Sequence, residues 1–223
     1  MTPRTKRRLA FVAGFGLYFA ALWYLWYTPV VYPLKIFVVL LHEASHAIAL
    51  VATGGTVDHI TLEAGQGGAT WGYGGIRFIT LSAGYLGSLA LGSLLVLGAQ
   101  SRRVSSRTLL AVVGGIILAL TVGYVRSGFG IVFGLLFGAG LVVAGRKLPE
   151  RWSSTTLMAL GLTSVCYAIL DIKSDILDRP ELRSDARMLA ELTGVPTVVW
   201  GVIWIVAAVA AATWLVRRAY RNA

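Results

Sequence analysis

The chain has 223 residues, 57% of them hydrophobic and only 13% charged, where an ordinary globular domain carries about 25% charged residues. That balance excludes a soluble domain and describes an α-helical polytopic membrane protein, read as one integral membrane domain over residues 1–223. The net charge of +10 does not argue for nucleic acid as a partner. The basic residues stand between apolar runs, at Arg4–Arg8, Arg102–Arg107, Arg146–Arg151 and Arg217–Arg221, where Lys and Arg mark membrane topology. Cys166 is the sole cysteine. It excludes an internal disulfide and a multi-cysteine metal site, and reads as a small apolar packing residue.

In chain order, apolar runs of roughly 20 residues predict spans over 9–27, 30–52, 78–99, 108–125, 128–145, 154–172 and 197–216, hence about six to seven transmembrane helices. The first follows "RTKRR" as a signal peptide would. It continues through Tyr27, ends in Trp and Tyr, and meets no small-residue cleavage site, so it reads as a retained span with an aromatic belt. Pro29 and Pro33 separate it from the second. Residues 54–77 are glycine-rich and contain the alternating piece "VDHITL". They predict a β-hairpin or re-entrant loop, which survives near lipid only where it lines a protein or water cavity. Gly84, Ser88 and Gly92, and Gly130, Gly134 and Gly138, recur at the four-residue spacing of close helix packing. Residues 173–196 form the one highly charged connection, a surface segment with a short amphipathic helix near 183–192. Nine basic residues in the later clusters, against four at the start, favour an outside N-terminus.

The chemistry lies in "HEASH", residues 42–46. Two histidines four apart share one helix face, and their imidazoles can converge on one metal ion. Glu43 projects in a neighbouring direction, as a general base beside a metal-bound water would. Ionisable residues inside an apolar span are costly and functional by default. A catalytic zinc site takes three protein ligands, so a third must come from elsewhere. His59 and Glu63 read as solvated loop residues. Asp171 ends the sixth span in "YAILDIKSD", with Asp175 one turn later on the same face, and either suits a ligand reaching back to the metal. Asp185, in "SDA", reads as a helix cap.

These residues resemble the site-2 protease family of intramembrane zinc metalloproteases, in its compact peptidase M50B-like branch without a PDZ domain. "HEASH" falls in an early span, "GGTVDHITL" resembles the hairpin that follows it, and "SAGYLGS" at 82–88 stands where the family carries a small-residue AGP motif. Leu170–Asp171 matches the start of the family's LDG-like motif, with Ile172 in place of glycine, and Tyr85 replaces the proline of AGP. The resemblance covers most of residues 30–100 and, more weakly, 160–195. It implies Zn2+ held by His42, His46 and an aspartate, Asp171 or Asp175, with Glu43 as the catalytic base. It implies hydrolysis of a peptide bond in a membrane-embedded protein or peptide, which could pair with the hairpin by strand addition. The expected setting is the lipid bilayer, as a multi-pass protein of a bacterial inner membrane. Two other functions fit the same residues. One is a transporter or ion relay using the buried His and Glu. The other is a catalytically silent relative that binds membrane proteins.

Overall fold

The computed structural model describes residues 3–26, 28–101, 103–172 and 183–222. Among these residues, eight helices and one hairpin follow in order: α1 (Pro3–Tyr24), α2 (Tyr32–Ala52), β1 (Thr56–Leu62), β2 (Gly68–Tyr73), α3 (Arg77–Ala99), α4 (Ser106–Tyr124), α5 (Gly128–Lys147), α6 (Glu150–Ile172), α7 (Asp185–Thr193) and α8 (Thr197–Asn222). Among the described residues, five helices are long and apolar enough to cross a membrane: α2, α3, α4, α5 and α8. The chain is thus a polytopic helical membrane protein with a small antiparallel sheet. α6 has the length of a span, but Ser153, Thr163 and Ser164 bury hydroxyls inside it. Several helices outrun the predicted spans because they continue past the apolar stretch into basic ends such as Arg217 and Arg218.

α2 is the central helix. Pro33 stands at its start, where a missing N–H costs nothing. It packs against α3, α6 and both strands, and Ile36, Phe37 and Leu40 are almost wholly enclosed. Outer helices instead turn Val112, Ile116, Leu136, Val202, Val206 and Val209 outwards. That is the inside-out pattern expected where lipid is the solvent.

Small residues set the helix spacings. A Cβ on Gly92 would lie 3.0 Å from the Gly161 carbonyl oxygen, and one on Gly161 would lie 2.6 Å from that of Gly92. Gly114 and Gly138 bring α4 and α5 together in the same way. The four-residue glycine spacing does serve packing, because backbones this close leave no room for a methyl group.

The hairpin decides where the chemistry sits. α2 ends at Thr53, and Gly54 takes a positive φ of 85°, which glycine adopts without strain. The chain then reverses. Seven extended residues span about 23 Å, so β1 runs back beside α2 until the Tyr32 hydroxyl donates to the Ala64 carbonyl at 2.8 Å. β2 returns in register, with Ile60 opposite Thr70 and Leu62 opposite Gly68, and a bulge at Asp58. The far edge of β1 is satisfied by the α4–α5 link. Arg126 N–H donates to the Ile60 carbonyl at 3.0 Å, while the Ser127 hydroxyl accepts from Leu62 N–H and donates to its carbonyl, both at 2.9 Å. Those partners let strand backbone lie beside an apolar helix without orphaned amides. Of the two readings for residues 54–77, the hairpin is correct.

Candidate metal centre

His42 and His46 lie one turn apart on α2, as their spacing requires. Their Nε2 atoms are 3.0 Å apart. A carboxylate closes the triangle: Asp185 Oδ2 is 3.0 Å from His42 Nε2 and 3.1 Å from His46 Nε2. A tetrahedral ion with bonds of ~2.0–2.1 Å separates its ligand atoms by about 3.3 Å, so the observed triangle is close to one face of such a shell. His46 Nδ1–H donates to the Thr80 carbonyl at 2.7 Å. This hydrogen bond fixes the tautomer and leaves the Nε2 lone pair facing the cluster, the usual support of a metal-binding histidine. Two imidazoles and one carboxylate form a donor set suited to zinc.

Asp185 arrives on α7, not on a span. Ser184 caps this helix by accepting from Arg187 N–H, and Gly194 closes it with a φ of 74°, the expected pair of end signals. Ala186 and Leu189 are wholly buried and join Leu81, Tyr85, Ile172 and Trp204 in one cluster. The apolar face of α7 thus clamps it onto α3 and α8, and Asp185 follows. Burial alone would raise the Asp185 carboxyl, but the adjoining imidazoles of His46 and His42 outweigh it and hold the group below the usual carboxylate range. It stays ionised throughout the neutral range, the form that ligates metal.

Glu43 occupies a different position. Its carboxylate is buried, and the Thr70 hydroxyl lies 2.8 Å from Oε2 and 2.9 Å from the Glu43 backbone oxygen, its one proton shared between the two acceptors. Gly68 lies so close that a Cβ there would meet the Glu43 carboxylate at 2.8 Å. β2 therefore holds the side chain beside the cluster without making it part of the triangle. All four residues line one cavity of about 460 Å³, whose walls include Gly67–Trp71 of the hairpin, Thr80 and Tyr85.

α3 makes room for the histidines. A Cβ on Gly84 would lie 2.3 Å from His42 Nε2 and 2.6 Å from His46 Nε2. Gly84 had read as a helix-packing residue, and it also clears the site. Gly84→Ala is expected to push both rings off the shared point and weaken metal affinity at least as much as losing a supporting hydrogen bond does, roughly 10–100-fold. Zinc titration of the purified variant checks this. Wild-type affinity would mean that the rings tolerate the methyl group.

Other sequence expectations land elsewhere. His59 pairs with Asp58 at 2.7 Å and stacks on Trp71, and neither His59 nor Glu63 joins the cluster. The side chain of Asp171 and the whole of Asp175 lie outside the described residues. Ile172 does pack among the residues that seat α7, so the end of α6 reaches the neighbourhood of the histidines. The assignment of Asp185 to helix capping is corrected. Ser184 supplies the cap, and Asp185, one position on, turns inwards. The legible signal was an acid directly after a strong capping residue on the same face as Ala186 and Leu189.

The family model for peptidase M50B-like proteins matches residues 15–215. No curated protein and no solved structure matches the chain. The match takes in α2 with its histidines, the hairpin and α7. The chain belongs to the peptidase M50B-like family.

Proposed function

We propose that this protein is an intramembrane zinc metalloendopeptidase in which His42, His46 and Asp185 hold the metal and Glu43 is the general base. The observation that carries the reading is the convergence of those three ligand atoms within about 3 Å while Glu43 is held separately on the wall of the same cavity. When bound, zinc supplies Lewis acidity to the scissile carbonyl and acidifies a water. Glu43 accepts the proton of the attacking water and returns it to the leaving amine. Thr70 orients the Glu43 carboxylate for both transfers. Residues 67–71 line the cavity, which supports binding of an unwound, extended substrate segment along β2. Membrane-embedded proteins or peptides are the substrates this arrangement suits.

The test is metal content together with cleavage. Protein purified in detergent is expected to hold one zinc ion and to cut a membrane-embedded reporter. Chelation stops the reaction and added zinc restores it. A relative that only binds membrane proteins would hold zinc without cutting. A protein that binds no zinc at all would overturn the assignment.

A further inference from the structure

The described members of the four basic clusters meet at one end of the molecule. The Ser154 hydroxyl donates to the Ala99 carbonyl at 2.9 Å, so α6 begins where α3 ends. α4 begins there too, since the Ser105 hydroxyl and the Ser106 N–H both donate to the Glu150 carboxylate. Arg107 donates to the Gly145 and Arg146 carbonyls, which brings in the last turn of α5. Leu215 and Val96 share one apolar cluster, so α8 finishes beside the end of α3. The Arg8 guanidinium lies 4.7 Å from the Tyr220 ring centroid and adds the start of α1.

Charge at this end is almost all of one sign. From Arg103 onwards every described basic residue of these segments is exposed, including Arg146, Lys147 and Arg151, then Arg217, Arg218 and Arg221. Glu150 is the one carboxylate among their described residues, and two serines occupy it. Elsewhere, Arg187 pairs with Glu191 at 3.3 Å, and Arg126 donates to the carbonyls of Val122, Gly123 and Val125. Trp152 and Trp214 are exposed beside the basic residues, as rings at a membrane–water boundary are. Like charges gathered in this way repel one another and call for a surface of opposite sign.

The alternation of seven spans that favours an outside N-terminus does not hold in the fold, because α1 and α2 run in the same direction. The Tyr18 hydroxyl donates to the Ala159 carbonyl and Leu22 packs with Cys166, so α1 is parallel to α6. His42 lies against Tyr85 and His46 against Thr80, so α2 is antiparallel to α3. α3 is in turn antiparallel to α6, through Ser88 with Ser164 and Ala99 with Ser154. The cations of α1 therefore join the later ones on one side.

We propose that this face rests on anionic phospholipid headgroups. The cytoplasmic leaflet is the one that attracts Lys and Arg, so the start of α1 and the end of α8 face the cytoplasm. Along α3, Gly84, which borders both histidines, stands about 22 Å from Ala99 and about 10 Å from Arg77. The metal centre therefore lies in the half of the bilayer away from the cytoplasm. This placement does not depend on whether the chain cuts peptides.

The experiment uses the full chain with Cys166→Ala and either Val104→Cys at the basic end or Tyr73→Cys at the other, both positions being exposed. A membrane-impermeant maleimide is applied to sealed bacterial vesicles of each orientation. Val104→Cys is expected to react only in inside-out vesicles and Tyr73→Cys only in right-side-out ones. Retention of radiolabelled phosphatidylglycerol and phosphatidylcholine by the immobilised chain in neutral detergent is measured in parallel. Expected is a preference for phosphatidylglycerol of roughly ten-fold or more. It falls to parity when Arg103, Arg146, Lys147 and Arg151 are all replaced by Gln, with the helical circular dichroism unchanged. Should that variant fail to fold, salt titration of the parent serves instead, since salt screens exposed charges. Equal retention of the two lipids overturns the proposal, as does a preference that salt leaves untouched. Labelling of Val104→Cys from the outer side overturns it whatever the lipid result. Retention of an acidic polypeptide or an oligonucleotide without any lipid preference does so too, and would assign the face to that partner.

Discussion

Glu43→Gln is expected to keep its zinc and to cleave a membrane-embedded peptide roughly 10²–10⁴-fold more slowly than the parent, the range lost with a positioned general base. Glutamine has the shape of glutamate. Its amide oxygen can still accept from the Thr70 hydroxyl, now 2.8 Å from Oε2, and it fits the same space against Gly68. The triangle of His42, His46 and Asp185 does not include Glu43, so the metal has no reason to leave. What disappears is the capacity to take a proton. Zinc analysis and cleavage on the same preparation make the check. Zinc lost along with activity would mean that Glu43 is a ligand, and full activity would remove it from the mechanism.

Asp185→Ala is expected to release the zinc. Two histidines remain, one short of the three protein ligands a catalytic site needs. Affinity is expected to fall by more than the roughly 10–100-fold that a lost supporting partner costs, with cleavage falling alongside. The rest of α7 should stay in place. Its cap is Ser184, and its anchors are Ala186 and Leu189; none depends on the carboxylate. Asp171→Ala is the informative companion, since Ile172, its neighbour and the last residue of α6, packs in the cluster that seats α7. Zinc retained by Asp171→Ala and lost by Asp185→Ala supports the assignment made here. The opposite pair of results would move the third ligand to Asp171 and leave Asp185 as a hydrogen-bond partner of the histidines.

How much was legible in advance varied with the distance over which each signal acts. Apolar runs of span length, the prolines at 29 and 33, and the glycine-rich stretch after α2 are local, and they announced helices and a hairpin close to those observed. "HEASH" was legible for the same reason, since the i, i+4 relation is a property of one helix. The role of Gly84 was only half legible. Its spacing from Ser88 and Gly92 spoke of packing, while its clearance for His42 and His46 needs two helices to be seen together.

The third ligand marks the boundary. By itself the sequence determined a polytopic helical membrane protein, a two-histidine face with an adjacent glutamate, and the need for a partner from a distant segment, because composition and helical period act within one element. Which aspartate approaches that face was decided only in three dimensions. The burial of Ala186 and Leu189 seats a nine-residue helix against α3 and α8, and Asp185 is carried inwards with it. The hold of Thr70 on Glu43 is likewise tertiary, since it depends on β2 folding back beside α2. Contacts between residues 27 or 143 positions apart arise from the packing of whole elements, and no local pattern encodes them.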